Sequence, residues 1–442
     1  MKVFLNRKLT IVIVLCGLLL ASISVQAQNV YPDATEMDPR PVVEWMQLFY
    51  DRIEVEAINA PAASRMYAYA GITAYESVVN GIPGNYSIAG QIQHMPEMPL
   101  PDFELEYDWA SVANAALSVV IESLFPNPSE ETVTAIRELR QIQAEERIKE
   151  TESAVVRRSM DYGDELAAVI VEWIAGDNFA ETREMEFELP VGDGLWVPTT
   201  EGTRPAEPYW GSIRPFALYY ADECAVQPNM DFSSDEGSAF YAQALEVREV
   251  GDNLTEDQQA IARWWVDTPG ITGTPAGHWV SIENQLVEQL DLPLSRATEM
   301  YALVGMALGD AFISCWSLKY QINLLRPETY IHEYIRRSWQ PYIQTPPFPE
   351  YPSGHSVVSA AAAEVLTRMF GTVAFTDETH VLRGEAPHSY TSFEAAANEA
   401  AISRLYGGIH FRAAIENGMR QGRCVGERVL SYVSLRPIPQ GE

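Results

Sequence analysis

The chain has 442 residues, of which 47% are hydrophobic and 10% are aromatic, so it can bury a large core and is not disordered in composition. Its 61 acidic residues outnumber 30 basic ones, which gives a formal net charge of -31. So acidic a chain excludes nucleic acid and anionic membrane surfaces as expected partners, and any anion-binding site in it must be locally basic.

Residues 1–27 have the pattern of a signal peptide. Lys2, Arg7 and Lys8 supply the positive start, the run "LTIVIVLCGLLLASISV" is the apolar middle, and "VQA" ends at Ala27 with small residues where a signal peptidase cuts. No later segment has 18 uncharged apolar residues, so no membrane span is expected after cleavage. We therefore expect an exported protein, periplasmic or secreted.

Helical periodicity dominates the rest of the chain and predicts an all-α, multi-helix bundle. Residues 28–180 form the predicted N-terminal helical part, with a helical hairpin over 129–176. Residues 181–234 are rich in proline, glycine and aromatic side chains and lack helical periodicity, which indicates a long irregular insertion that packs on the body. Residues 235–442 form the predicted C-terminal helical part, and the candidate site residues lie within it.

Three cysteines follow residue 27, namely Cys224, Cys315 and Cys424. An odd number allows at most one internal disulfide and leaves one thiol. Cys315 lies in an apolar helical segment and is expected to be part of the core. The pairing of the three stays open at this stage, as does the oligomeric state.

The first of three candidate anion-binding pieces is "WSLKYQINLLRPETY". Lys319 and Arg326 are seven residues apart, which places both cations on one face of a helix. Pro327 predicts that this helix ends at Arg326. Taken alone, such a pair is equally typical of a solvated helix surface.

The second piece is "YPSGHS". Ser353, Gly354 and His355 precede an apolar helix, and the free N–H groups at a helix start attract anions. Gly354 would let an oxyanion approach the backbone closely. The alternative is a serine-capped helix with an incidental histidine.

The third piece is "SRLYGGIHFRAAIENG". Arg404 and His410 are six residues apart, and Gly407 and Gly408 between them allow the chain to turn so that both side chains face one pocket. The alternative is an ordinary helix–turn–helix with a core histidine. Together the three pieces supply forked donors, a point charge and backbone amides, a set that suits a tetrahedral oxyanion.

In order, the pieces read K-x6-R-P, P-S-G-H and S-R-x5-H, and the chain resembles the type 2 phosphatidic acid phosphatase superfamily. More closely it resembles the exported bacterial vanadium-dependent haloperoxidases, to which the stretches "GLWVPT", "PYWGSIRPF" and "SRLYGGIHFR" are also similar. Trp316 and Phe348 match aromatic residues that lie on the halide side in that family.

The resemblance implies a vanadate cofactor held between helices. The residues that would bind its oxygens are Lys319, Arg326, Ser353, the Gly354 amide and Arg404. It also implies that His410 is the axial vanadium ligand and His355 the acid–base group. The implied reaction is oxidation of a halide by hydrogen peroxide to hypohalous acid, with bromide or iodide favoured over chloride. The partners would then be small molecules: peroxide, halide and an organic acceptor that the sequence does not identify.

One departure bears on the reaction class. The superfamily commonly has an aspartate four residues after the final histidine, where this chain has Ala414. Because a histidine nucleophile needs an orienting carboxylate, the alanine favours a peroxidase over the runner-up, an exported acid phosphatase in which His410 attacks phosphate and His355 protonates the leaving group. A further alternative is a helical binding protein that uses residues 181–234, although it leaves the ordered motifs unexplained.

The remaining histidines are expected to be incidental, since none has partners at ligand spacing. They are His94, His278, His332, His380 and His388. His380 and His388 precede the third piece and are the best candidates for an exception.

Overall fold

The apolar periodicity of the chain folds, in this computed structural model, into fourteen α-helices within residues 33–183 and 185–437, the ranges that the structure describes. The helices are α1 (Arg40–Val55), α2 (Ala60–Val78), α3 (Trp109–Leu124), α4 (Glu130–Glu150), α5 (Ser153–Ala175), α6 (Phe179–Arg183), α7 (Ala239–Asp252), α8 (Glu256–Trp264), α9 (Thr274–Gln289), α10 (Leu294–Ile322), α11 (Pro327–Tyr334), α12 (Gly354–Phe370), α13 (Phe393–Tyr406) and α14 (Arg412–Tyr432). The all-α prediction is confirmed, and α4 and α5 form the predicted hairpin. The predicted signal peptide lies outside the described residues.

Short polar side chains start many of these helices. An N-cap side chain accepts a backbone N–H of the first turn and satisfies a donor that the helix leaves open, which is worth about 1 kcal/mol. The residues that cap in this way are Asn59, Asp108, Ser129, Ser238, Thr255, Ser353 and Ser392. Thr255 also forms a reciprocal capping box with Gln258.

The longest helix, α10, lies at the centre of the core. It packs along α2, in which every residue after Ala60 is buried. Its length and composition are those of a membrane span, but 94% of its most apolar window is buried inside the protein. The apolar character of α10 is therefore explained by burial among the neighbouring helices.

The irregular segment after α6 is attached to α10 by a buried carboxylate. Asp310 accepts the backbone N–H groups of Phe216, Ala217 and Leu218 at 2.7, 2.9 and 2.9 Å. These three donors have no helix or sheet to pair with, so the carboxylate replaces the missing secondary structure. Burial outweighs the three bonds and raises the pKa of Asp310 to about 6.

A disulfide joins the same segment to α14. It links Cys224 and Cys424, which are 200 residues apart in sequence. Cys315 is a free, buried thiol in α10, as its apolar surroundings predicted. The structure thus resolves the pairing that the sequence left open.

A two-stranded antiparallel hairpin is the main departure from helix. Strands β1 (Phe375–Asp377) and β2 (His388–Tyr390) pair with Phe375 opposite Tyr390. Strands of three residues are too short to show an alternating pattern in the sequence. Residues 33–437 belong to one compact unit, and the part boundaries predicted at 180 and 234 stay predictions.

Candidate active site

Separate parts of the fold meet at one cavity of about 310 Å³. They are the end of α10, the start of α11, the connection into the first turn of α12, the end of α13 and the turn before α14. The structure brings all the predicted site residues together here. Those that line the cavity are Trp316, Phe348, Gly354, His355, Arg404 and His410, while Lys319, Arg326 and Ser353 are buried beside them.

Lys319 is fully buried and holds the chain that leads into α12. Its ammonium donates to the carbonyl oxygens of Pro349 at 3.1 Å and Glu350 at 3.0 Å, and also to that of Pro352. Burial, helped by the nearby Arg326 charge, lowers the pKa of Lys319 to about 7. An anion in the cavity would favour the charged form of this lysine and raise that pKa again.

Arg326 is fully buried and has one donor left over. Its Nε donates to the carbonyl of Phe348 at 2.9 Å, and Nη1 donates to that of Ile409 at 2.8 Å and lies 3.2 Å from His410 Nε2. The Nη2 atom has no hydrogen-bond partner. A buried guanidinium N–H without a partner is costly, so a ligand that accepts from it would stabilise the site.

The helix geometry around these two cations corrects the prediction. Lys319 and Arg326 do not share one helix, because α10 ends at Ile322 and Arg326 is the N-cap of α11. Asn323 ends α10 in the left-handed conformation with φ 51°, a conformation that asparagine tolerates better than most residues. Both cations nevertheless face the same site.

The turn at Gly407 and Gly408 places the last two predicted residues. The α13 helix ends at Tyr406, and Gly408 has φ 77°, which strains residues with a side chain. Arg404 in α13 and His410 after the turn consequently both line the cavity.

His410 is paired with a carboxylate that the sequence did not reveal. Its Nδ1 atom lies 2.9 Å from Glu350 Oε1, and both side chains are buried. Burial, together with the charges of Arg326 and Lys319, holds the pKa of His410 well below its usual value, so the ring is neutral.

The Glu350 contact corrects the argument from Ala414. That argument took the orienting carboxylate to be absent, whereas Glu350 provides one from a different place in the chain. Ala414 therefore does not discriminate between peroxidase and phosphatase. The acid is visible in "FPEYPSGH", but nothing in the sequence shows that it reaches a histidine 60 residues away.

His355 lies near a second buried carboxylate, that of Asp267. The Nε2 atom of His355 has no hydrogen-bond partner and lies 3.8 Å from Asp267 Oδ2. Burial and the Arg404 charge hold the pKa of His355 well below its usual value, although Asp267 acts in the opposite direction. Asp267 itself has φ 48°, in the left-handed region.

Asp267 belongs to a network in which two of the supposedly incidental histidines take part. His278 Nδ1 lies 3.0 Å from Asp267 Oδ1, and its Nε2 lies 2.7 Å from Asp377 Oδ2. His380 Nε2 lies 3.4 Å from Asp267 Oδ1. His278 and His380 are both buried and have carboxylate partners, contrary to the expectation that they lack partners, and His278 lies within α9.

The other three histidines have different surroundings, although His388 stacks on Trp264, whose indole N–H donates to Asp377 of this network. His94 is exposed, and His332 bonds to the carbonyl of Trp339. His388 pairs with Glu399 at 2.8 Å.

Part of the cavity wall is aromatic and apolar. The rings of Trp316 and Phe348 are 4.9 Å apart, and Phe312 packs on Trp316 at 5.1 Å. Prolines 346 and 347 extend this surface. The aromatic rings adjoin the cations, since Lys319 Nζ lies 5.2 Å and Arg326 Cζ 4.9 Å from the centroid of the Phe348 ring. Aromatic, cationic and imidazole groups therefore surround one cavity.

Comparison with known proteins agrees with this architecture. Residues 299–436 match the family model described as the VCPO second helical-bundle domain. The structure of the first bacterial vanadium-dependent iodoperoxidase is similar with a TM-score of 0.84 and 36% sequence identity, over 92% of this chain and 98% of that chain. Among curated proteins nothing matches significantly.

The fold also matches a bacterial vanadium-dependent chloroperoxidase. Its holo form aligns with a TM-score of 0.67 at 14% identity, over 91% of this chain and 98% of that chain. Its apo form gives a TM-score of 0.65, also at 14% identity, over 85% of this chain and 93% of that chain. Identity this low supports the shared fold alone.

Proposed function

The chain belongs to the bacterial vanadium-dependent haloperoxidases, enzymes that use vanadate and hydrogen peroxide to oxidise a halide, and we propose that its own halide is iodide or bromide rather than chloride. The observation that carries this choice is the aromatic part of the cavity wall, formed by Phe312, Trp316 and Phe348. Dehydrating an anion at an apolar wall costs least for the largest and most weakly hydrated one, which favours iodide first and bromide second. The 36% identity with an iodoperoxidase supports the same order.

The residues present fit vanadate. The unpaired Nη2 of Arg326 is a buried donor without an acceptor, and a tetrahedral oxyanion would supply one. A Cβ at Gly354 would lie 3.3 Å from the Trp316 ring, so glycine leaves space in this part of the cavity. Arg326, Arg404, Ser353 and the Gly354 amide would hold the oxygens, and His410 Nε2 would be the ligand to vanadium. Lys319, whose three N–H groups already donate to carbonyls, would contribute its charge. When bound, vanadate supplies a Lewis acid that activates peroxide towards attack by the halide.

The chain's own residues divide the remaining work. The three buried cations would neutralise the oxyanion, and their burial strengthens that attraction because water screens it less there. His355 is neutral and has an unpaired Nε2, so it can accept the proton that peroxide loses and later return it. Asp267 lies beside that ring and stabilises the imidazolium formed.

Halide turnover tests the proposal directly. The apoprotein should be inactive, and added vanadate should restore peroxide-dependent halogenation of a phenolic dye with iodide above bromide and chloride slowest. Phosphate should compete with vanadate. Faster turnover of chloride than of iodide would refute the halide order. Hydrolysis of a chromogenic phosphomonoester, assayed in parallel on the same apoprotein, measures the phosphatase alternative that Glu350 reopens.

We further propose that the protein is exported and that residues 1–27 are removed. The Cys224–Cys424 disulfide supports this, because such bonds persist in oxidising compartments and are rare in the cytosol. Mass spectrometry of protein from the periplasm and medium tests it: a mature chain starting at residue 28 is expected. An intact N-terminus in a cytosolic fraction would contradict export.

A further inference from the structure

We propose that Glu350 is the residue that positions His410. It supplies, from a different point in the chain, the carboxylate that is absent at position 414, where this chain has alanine. The inference rests on the proposed role of His410 as the vanadium ligand. It deepens that role by assigning the group that selects the ring tautomer and orientation. Glu350 acts through His410 and is therefore a positioning residue.

The geometry gives Glu350 a hold on both the ring and the backbone. Its Oε1 atom lies 2.9 Å from His410 Nδ1 and accepts the N–H of Phe411 at 2.9 Å. Glu350 is itself fixed, because its N–H donates to the carbonyl of Leu324 at 2.9 Å and its own carbonyl accepts from Lys319. The backbone of Glu350 is thus bonded to Lys319 and Leu324, and its carboxylate is bonded to the segment that begins at His410.

The contacts on the two ring nitrogens of His410 select one tautomer. At Nε2 the neighbour is Arg326 Nη1, 3.2 Å away, and a guanidinium is only a donor. Nε2 must therefore present its lone pair, which places the proton on Nδ1, facing the Glu350 carboxylate. A nitrogen that ligates a metal needs that lone pair, and a carboxylate on the other nitrogen makes the ligand more basic.

The residue at position 414 cannot orient His410 in the present chain, because it is an alanine. Ala414 is buried against Leu318 and Tyr351, and its carbonyl accepts the N–H of Ser353 at 3.1 Å. Its backbone thus helps to place the start of α12 while its side chain fills space. Among the described residues, Glu350 is the carboxylate found within hydrogen-bond distance of the His410 ring.

The test compares vanadate with phosphate as ligands of the apoprotein by titration calorimetry. Glu350→Gln keeps the shape and an acceptor but removes the charge. Phosphate needs no histidine bond, and losing a nearby negative charge should leave its affinity unchanged or improve it. Vanadate should lose affinity, so we expect the ratio of vanadate to phosphate affinity to fall about tenfold or more. Glu350→Ala should lower the ratio further.

Glu76→Gln is the matched control. Glu76 is a buried carboxylate that also accepts a backbone N–H, from Ile88, and it belongs to α2. Its variant should leave the ratio unchanged. If Glu350→Gln weakens both anions by the same factor, or changes neither, Glu350 has only a structural role and the proposal is wrong.

Nitrogen-15 spectra of labelled histidine in the apoprotein provide a readout that is independent of vanadate. The His410 signal, assigned with His410→Gln, should show a neutral ring protonated on Nδ1, and Glu350→Ala should weaken that preference, because only Arg326 would then favour the lone pair on Nε2. An Nε2-protonated ring in the unsubstituted protein would overturn the inference. Should the unsubstituted protein fail to bind vanadate, the proposed function fails, while these spectra still decide the role of Glu350.

Discussion

Raising the pH should destabilise the fold through His278, and replacement of that residue by glutamine should remove the effect. The ring is fully buried between Asp267 and Asp377, so burial disfavours its charge while two ion pairs favour it. The ion pairs prevail and raise the pKa of His278 to about 10. In the unfolded chain the value is about 6.5.

The sign and size of the stability change follow from the difference between the folded and unfolded pKa values of His278. A group whose pKa is higher in the folded state contributes its full stabilisation below pH of about 6.5 and loses it as the pH rises towards about 10. The interval of about 3.5 units corresponds to about 5 kcal/mol of unfolding free energy. That amount is comparable with the whole stability of many domains, so the effect should be large.

The loss of stability can be measured by urea unfolding, followed by tryptophan fluorescence at several pH values between about 6.5 and 10. The stability difference between the unsubstituted protein and His278→Gln should be largest at the lower end and shrink steadily with pH. Tyrosines that titrate at high pH are present in both proteins, so their contribution cancels in the difference. A difference that stays constant over this range would show that His278 is not an imidazolium, and the reasoning would fail.

Three further predictions concern other buried groups. Replacing Cys224 and Cys424 by serine should lower the unfolding free energy by up to about 5 kcal/mol, because the disulfide closes a loop of about 200 residues; an unchanged urea midpoint would contradict this. Asp310→Asn should lower the unfolding free energy by about 3 kcal/mol, since the amide N–H groups of asparagine would face backbone N–H groups. It should also speed proteolysis of residues 185–238; a digestion pattern like that of the unsubstituted protein would show that Asp310 does not hold this segment. Asp267→Asn can keep the backbone conformation, because asparagine tolerates the positive φ, although it removes one of the two ion pairs of His278. Halide turnover of the folded variant should fall about tenfold or more, and its acid limb should move to lower pH as the pKa of His355 drops; superimposable pH profiles would exclude that role.

Local features of this fold were readable from the sequence. Thr255 caps α8 as its position before an acidic, amphipathic run suggests, and the paired glycines after Tyr406 end α13. Such signals depend on contacts within a few residues. The ordered motifs also indicated which distant segments converge.

Features that depend on tertiary contacts were not readable. Proline 327 suggested a helix up to Arg326, yet α10 ends earlier, where the carbonyl of Asn323 accepts the N–H of Trp196 at 2.8 Å from the irregular segment. Glu350 belongs to the same class, since it contacts His410, 60 residues away, and so does His278 through its contact with Asp377, 99 residues away. Sequence spacing carries no information about such pairs.

The covalent link between Cys224 and Cys424 has a consequence for durability. The stretch it encloses contains every residue from Lys319 to His410 that we assign to the oxyanion. A protease that cuts any loop in this stretch would therefore leave two fragments still tied together, with the helices free to stay associated. Cleavage there should be visible on a reducing gel well before it becomes visible as a loss of catalysis.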